Sequence, residues 1–397
     1  MDTFQGYKRN QNKVGIRNYI LIISAVSCIN TVSSKIALKT DSIELNHDKG
    51  CLESEESHAR TILGIASAGK NPNVAGVLVV ELGCEFTDSE KLMKAIESSG
   101  KPVEFLSVQE EGGSPHAIKK GITLINKIKE ETRVVKKEKV PVDKLIVGVQ
   151  CGGSDWTTPI SGNTAIGKMT DLVIQNGGTV LMSEVAGFPG SEGVVANNAS
   201  TYEKGLEIYN MVDDIREEFL KEHGTTIESI NPTPGNKDGG LTTLVEKSMG
   251  NVKKMGDSEI QGIITLEDEI PYPGLWIVDA RVEGPDQFNT SGFAMLGAHT
   301  TVFSTGRGTP IGNAVMPLIK ITGNPETYKK LDSILDFNAG TILEGESIDK
   351  VGKELYELLL DVANGKLTKS EINENFEFVI PREHRADINE KASSSTC

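Results

Sequence analysis

The stretch LIVGVQCGGSDWTTPISGNTAIG, residues 145–167, decides how the chain is read. Its apolar part belongs to KLIVGVQ (144–150), which is short and rich in branched residues, as a strand buried on both faces is. The run stops at Cys151-Gly152-Gly153-Ser154-Asp155. A thiol, two glycines and a carboxylate therefore stand where the strand leaves its sheet. A tight turn around a buried cysteine explains the pattern without any function. A metal or substrate site explains it too, because open parallel sheets bind ligands at the carboxyl ends of their strands.

Similar runs recur at NYILIISAV (18–26), AGVLVVEL (75–82), GTVLMSE (178–184), GIITL (262–266), GLWIVDA (274–280) and HTTVFST (299–305). Helical periodicity lies between them, at 91–99, 121–132, 202–224 and 347–365; in the last, Ser347 is placed to cap and Gly365 to stop the helix. This alternation predicts an α/β fold of two domains, each with a mainly parallel sheet flanked by helices. The charged segment RVVKKEKVPVDK (133–144) reads as a linker between regions 1–138 and 142–385, and residues 386–397 read as a disordered tail.

A net charge of -15 argues against a nucleic-acid partner. No apolar run is long enough to span a bilayer, and the N-terminus lacks a signal-peptide pattern, so a cytoplasmic protein is expected. Five scattered cysteines without a CxxC pair argue against a disulfide framework or a zinc ribbon. GRGTPIG lacks the lysine–serine ending of a phosphate-binding loop, which disfavours a nucleotide.

Several strand ends carry reactive residues: Ser27-Cys28, His47 with Cys51, Cys84-Glu85, Cys151 to Asp155, Ser183-Glu184 and Arg307 to Thr309. Taken singly, each cysteine is more often core than ligand. Taken together, His47, Cys51, Cys84, Glu85 and Cys151 form a mixed S, N and O pool suited to a divalent first-row transition metal.

The segments GYKRNQNKVGIRNYI (6–20), HDKGC (47–51), LGCE (82–85), QCGGSD (150–155), NPTPGNKDGGLTTLVEKSMG (231–250), FSTGRGTPIG (303–312) and DFNAGTILEGESI (336–348) resemble, in order and spacing, the altronate/galactarate dehydratase family. The resemblance implies a hydro-lyase that converts a sugar acid to a 2-keto-3-deoxy acid with a divalent metal, usually iron; with the ligand pool above, Fe(II) is expected first and Mn(II) next. Full-length members carry a small N-terminal β-rich domain, whereas this chain starts at the second region, as the split large subunits do. A separate small β-rich subunit and a homo-oligomer are therefore expected. One split enzyme is a sulfolactate sulfo-lyase, which makes elimination of sulfite the alternative. A non-catalytic sugar-acid-binding subunit is the third reading.

Such a reaction needs a base for the proton alpha to the carboxylate and an acid for the departing hydroxyl. Asp155 and Glu184 are candidates for these roles or for metal ligation. An acidic chain that binds an anion also needs local cations. Arg307, between two glycines, is the leading candidate for a bidentate clamp, followed by Lys237. Arg17, Ser154, Asn163, Asn236, Lys247, Thr309 and Asn338 complete the expected substrate contacts. Lys247 reads equally well as part of a solvated face.

Overall fold

The computed structural model describes residues 2–280 and 286–380. Among the described residues, fourteen strands follow in chain order: β1 (Thr3–Lys8), β2 (Val14–Gly15), β3 (Tyr19–Ser24), β4 (Ile43–Leu45), β5 (Val74–Glu81), β6 (Val103–Ser107), β7 (Lys137–Pro141), β8 (Ile146–Cys151), β9 (Thr179–Met182), β10 (Ile260–Ile264), β11 (Leu275–Val278), β12 (Thr300–Ser304), β13 (Leu318–Thr322) and β14 (Phe337–Asn338). Two sheets are parallel throughout, as the strand–helix alternation predicts. One has seven strands in the order β10-β11-β9-β8-β12-β13-β14, the other four in the order β4-β3-β5-β6.

The third sheet, β2-β1-β7, is antiparallel. Its strand β7 lies inside the segment that reads as a linker. In KEKVP only Val140 is buried, so the strand offers almost no apolar alternation to read. The expected tail, 386–397, lies outside the described residues.

Helices cover both faces of each parallel sheet. On one face of the seven-stranded sheet, Val147 and Val149 of β8 pack with Ala165, Ile166 and Met169 of the helix Asn163–Gln175 and with Leu355 and Leu359 of the helix Ile348–Asn364. Its other face shares a core with the smaller sheet: Leu181, Trp276 and Phe303 join Leu21, Ile23, Val77 and Val79 around Phe293 and Ile65. The far face of the smaller sheet is closed by Val32, Ile36, Ile125 and Ile128. Near-continuous apolar strands are what burial on both faces demands.

Polar ties reinforce this shared core. The amide of Asn71 donates to the carbonyls of Ala294 and Ala298, and that of Asn73 to His299 and Val315. Each is buried, so its donors need these acceptors.

Candidate active site

Strand β8 sits where the winding of the larger sheet reverses. It connects to β9 through the helix Asn163–Gln175 on one face, whereas β11 connects to β12 through the helix Gln287–Met295 on the other. A crevice forms at the carboxyl end of such a switch point. Cys151 is the last residue of β8 and Glu184 follows β9, so both arrive there.

The glycines after Cys151 have separate reasons. A Cβ on Gly152 would lie 2.0 Å from Oδ2 of Asp286, so only glycine lets that carboxyl approach. Gly153 has φ +60°, the left-handed conformation in which glycine carries no Cβ penalty.

The Lys254 ammonium, wholly buried, lies 3.1 Å from Cys151 Sγ and also donates to Glu184 Oε2. The same carboxylate oxygen accepts the Cys151 amide at 2.9 Å. Asn163 Nδ2 and Asn251 Oδ1 approach the sulfur at 3.6 and 3.7 Å. Burial works against the charge on Lys254, but Cys151 and Glu184 outweigh it and hold its pKa above the usual lysine value. Burial and the Glu184 carboxylate push the Cys151 thiol up, against the pull of the Lys254 ammonium. Glu184 itself is held at φ 64°, a left-handed conformation that costs a non-glycine residue about 1–3 kcal/mol and clusters at functional sites.

Cys151, Glu184 and Asn251 face a cavity of about 390 Å³. Ile215, Phe219 and Ile227 give it an apolar wall, and Asp286, Asn289 and Lys247 add polar groups. Its size suits a small ligand. Burial and the nearby Glu184 raise the Asp286 pKa to about 7. Lys247 Nζ donates to Asn231 and Asn236 at 2.8 and 3.2 Å. It is the expected substrate cation that the cavity wall holds.

The other expected residues lie elsewhere or are already engaged. Oδ1 of Asp155 accepts from the amides and hydroxyls of Thr157 and Thr158, and Oδ2 accepts from Asn324, so this carboxylate holds the turn. Ser154 is buried and its carbonyl accepts from Asn236. Arg307 is exposed and donates to the Gly235 carbonyl, and Lys237 is exposed. Thr309 Oγ1 accepts from the Ile311 amide, and Asn338 Oδ1 from the Gly340 amide. Arg17 gives all five donors to Glu371 and to the carbonyls of Ile16, Val362 and Lys366. The substrate contact expected of Arg17 is therefore replaced by a structural tie.

Two residues that the motifs did not single out carry the site. Lys254, in VKKM, looks like a solvated lysine pair, but the short 3-10 helix Val252–Met255 turns it inward. Asp286 follows Gly284-Pro285 and reads as a loop residue. The glycine pair at 152–153 was the available signal that another group approaches closely.

A single divalent ion does not fit the expected pool. His47 Nε2 lies 2.6 Å from the Ser24 carbonyl, and its Nδ1 accepts from the Lys49 amide. Glu85 accepts three backbone amides, those of Leu82, Gly83 and Cys84. Cys151 ends a strand of the other sheet, with an ammonium beside its sulfur. Among the described residues, no three His, Cys, Asp or Glu side chains are grouped to hold one ion.

Two family models match, and together they span most of the chain. Residues 6–133 match the D-galactarate dehydratase/altronate hydrolase second domain. Residues 142–386 match the C-terminal part of D-galactarate/altronate dehydratase. The altronate dehydratase of Bacillus subtilis (strain 168) is 32% identical over 95% of this chain and 77% of its own length. The galactarate dehydratase (L-threo-forming) of Escherichia coli (strain K12) is 31% identical over 92% of this chain and 73% of its own. The (2R)-sulfolactate sulfo-lyase subunit beta of Chromohalobacter salexigens is 30% identical over 96% of this chain and 97% of its own. The chain therefore belongs to the D-galactarate/altronate dehydratase family and is an enzyme of the lyase class.

Proposed function

We propose that the chain removes water from a sugar-acid anion in the Cys151 cavity and releases a 2-keto-3-deoxy acid. As a member of a dehydratase family it is a carbon–oxygen lyase. The observation that carries the reading is the buried Lys254–Glu184–Cys151 cluster at the switch point, with Asp286 and Lys247 facing the same cavity.

The chemistry follows from the charges. Lys247 supplies positive charge for the substrate carboxylate, and the buried Lys254 adds its field behind Glu184 as the enolate grows when the alpha proton leaves. Glu184 takes that proton. Asp286, still protonated up to about pH 7, gives its proton to the departing hydroxyl, which leaves as water. The enol then tautomerises to the 2-keto acid.

The resemblance also implies a divalent metal, Fe(II) or Mn(II), which would add Lewis acidity at the carboxylate and the 2-hydroxyl. None of the steps above depends on it. A separate small β-rich subunit, a homo-oligomer and a cytoplasmic location belong to the same proposal. Support for the subunit is that a relative 30% identical to this chain is named as a beta subunit. No helix among the described residues is long and apolar enough to cross a membrane.

The similarity to that (2R)-sulfolactate sulfo-lyase subunit favours a second reading, elimination of sulfite from a sulfolactate. Sulfite needs no proton to leave, so the acid would be dispensable. The test is to purify the chain without oxygen, with and without its candidate small subunit. Altronate, galactarate and sulfolactate are then screened for 2-keto acid and sulfite. Keto acid without sulfite supports the dehydratase; sulfite moves the assignment to the sulfo-lyase. Saturable binding with no product from any of them would make the chain a binding subunit and overturn the proposal.

A further inference from the structure

The Cys151 cavity has a wall that the proton transfers do not use. The helix Tyr202–His223 buries Ile208, Met211, Val212 and Ile215 in the core of the larger sheet. That stripe, spaced as a helix face requires, continues one turn further to Phe219, which lines the cavity. Ile227 and Ile230, from the short helix Ile227–Ile230 that follows, line it too. Phe219 is half-buried and Ile230 is 53% exposed, so both leave apolar surface uncovered. A ligand with an apolar end would cover it.

The polar lining makes a different demand. Asn251 is 4% exposed, and its Nδ2 has no hydrogen-bond partner among the described residues. A Cβ on Gly187, which also lines the cavity, would lie 3.0 Å from that nitrogen. A buried donor of this kind needs an acceptor, and a substrate oxygen beside Cys151 supplies one.

Charge sets the number of anionic groups that the cavity accepts. Among the described residues that line it, the ionisable ones are Lys247, His223, Glu184, Glu218, Glu222 and Asp286. The His223 ring lies against Phe219, with centroids 4.4 Å apart. Lys247 is the one ammonium among them, which matches one carboxylate. A second carboxylate, or a sulfonate, would be desolvated against Phe219 and Ile227, and burying an unpaired charge is costly.

We propose that the cavity selects a deoxy sugar acid, with one carboxylate and a terminal methyl group, and that Phe219, Ile227 and Ile230 set this preference. The inference rests on the dehydratase reading, which puts the carboxylate at Lys247 and the reacting carbons at Glu184 and Asp286. A six-carbon acid held in that way still has three carbons to place, and the apolar wall receives the last of them. A three-carbon acid would not reach it.

The test measures binding, by calorimetry, to the full chain purified without oxygen, alone and with its candidate small subunit. The ligands are matched sets of galacto and altro configuration, each bearing a methyl, a hydroxymethyl or a carboxylate at its far end, and sulfolactate. Within a set, the methyl acid should bind about tenfold tighter than its hydroxymethyl parent, and the dicarboxylate at least about tenfold weaker than that parent. Ile230→Lys adds an ammonium at an exposed position, so folding is spared, and it should close most of the gap between dicarboxylate and methyl acid. Phe219→Ser should bring the methyl acid and its parent to within about twofold of each other. Each ligand is also followed for 2-keto acid. Selective binding of a methyl acid without any keto acid would sink the dehydratase reading and still support this selectivity. A dicarboxylate or sulfolactate bound as tightly as the methyl acids would overturn the proposal. So would a methyl preference that survives both substitutions, or no saturable binding of any methyl acid.

Discussion

The Nζ atom of Lys254 stands 3.1 Å from the sulfur of Cys151 and also donates to Glu184, with no exposed surface of its own. Removing one partner of such a buried pair leaves the other charge uncompensated, at a cost of about 3–5 kcal/mol. Lys254→Met keeps the apolar stem and should lose about that much stability in urea unfolding. Turnover should fall by about 10²-fold or more. Lys254→Met with Glu184→Gln should recover much of the stability and none of the activity. Wild-type kcat in the single variant would make this pair structural only.

Asp286 supplies the pH test. Its carboxyl releases its proton at about pH 7 in the folded chain, against a usual value of 3.8, because burial and Glu184 disfavour the anion. Between those values the folded state binds more protons than the unfolded state. Stability contributed by this group therefore falls as pH rises through that window and stays low above it. Asp286→Asn should flatten that slope. If Asp286 is the acid, kcat should decline above about pH 7, and the Asn variant should lose that limb along with about 10²–10⁴-fold in rate. An unchanged alkaline limb in Asp286→Asn would assign the acid elsewhere.

The parallel sheets were legible because β3, β5, β8 and β9 are nearly continuous apolar or β-branched runs. The strands β1, β7 and β14 were not, since they bury few side chains. At the site, Cys151 and Glu184 were legible from their place at strand ends. Lys254 was not, because a lysine's burial is decided by distant partners, here residues 151 and 184. Arg17 shows the opposite failure. Its motif marked it as important, but nothing local told that its partner, Glu371, lies 354 residues away.

Arg17 gives a prediction free of catalysis. Its guanidinium and Glu371 are both buried and paired at 2.7 Å, and Tyr19 also donates to that carboxylate at 2.6 Å. Arg17→Ala should cost about 3–5 kcal/mol by stranding Glu371, while folded protein keeps its KM. Arg17→Lys keeps the charge but not the five-donor fork, so it should fall in between. A raised KM at unchanged stability would return Arg17 to the substrate site.

Gly152 tests the geometry of the opening motif. A methyl group there would sit 2.0 Å from Asp286 Oδ2 and 2.5 Å from its Cγ, so the carboxyl must leave its place. Overpacking of this kind costs about 1–3 kcal/mol. Gly152→Ala should therefore lose both stability and rate, and the alkaline limb assigned to Asp286 should shift. Adding Asp286→Ala should restore stability without restoring rate, because the clash goes but so does the acid. Gly153→Ala is the control. Its new methyl would meet only Thr305 Oγ1 at 3.2 Å and Arg307 Cβ at 3.9 Å, at a left-handed φ of +60°. It should cost about 1–2 kcal/mol of backbone strain and leave the pH profile intact. Equal losses of rate in both variants would mean that the loop needs its glycines for the turn alone, and that Asp286 gains nothing from the space beside Gly152.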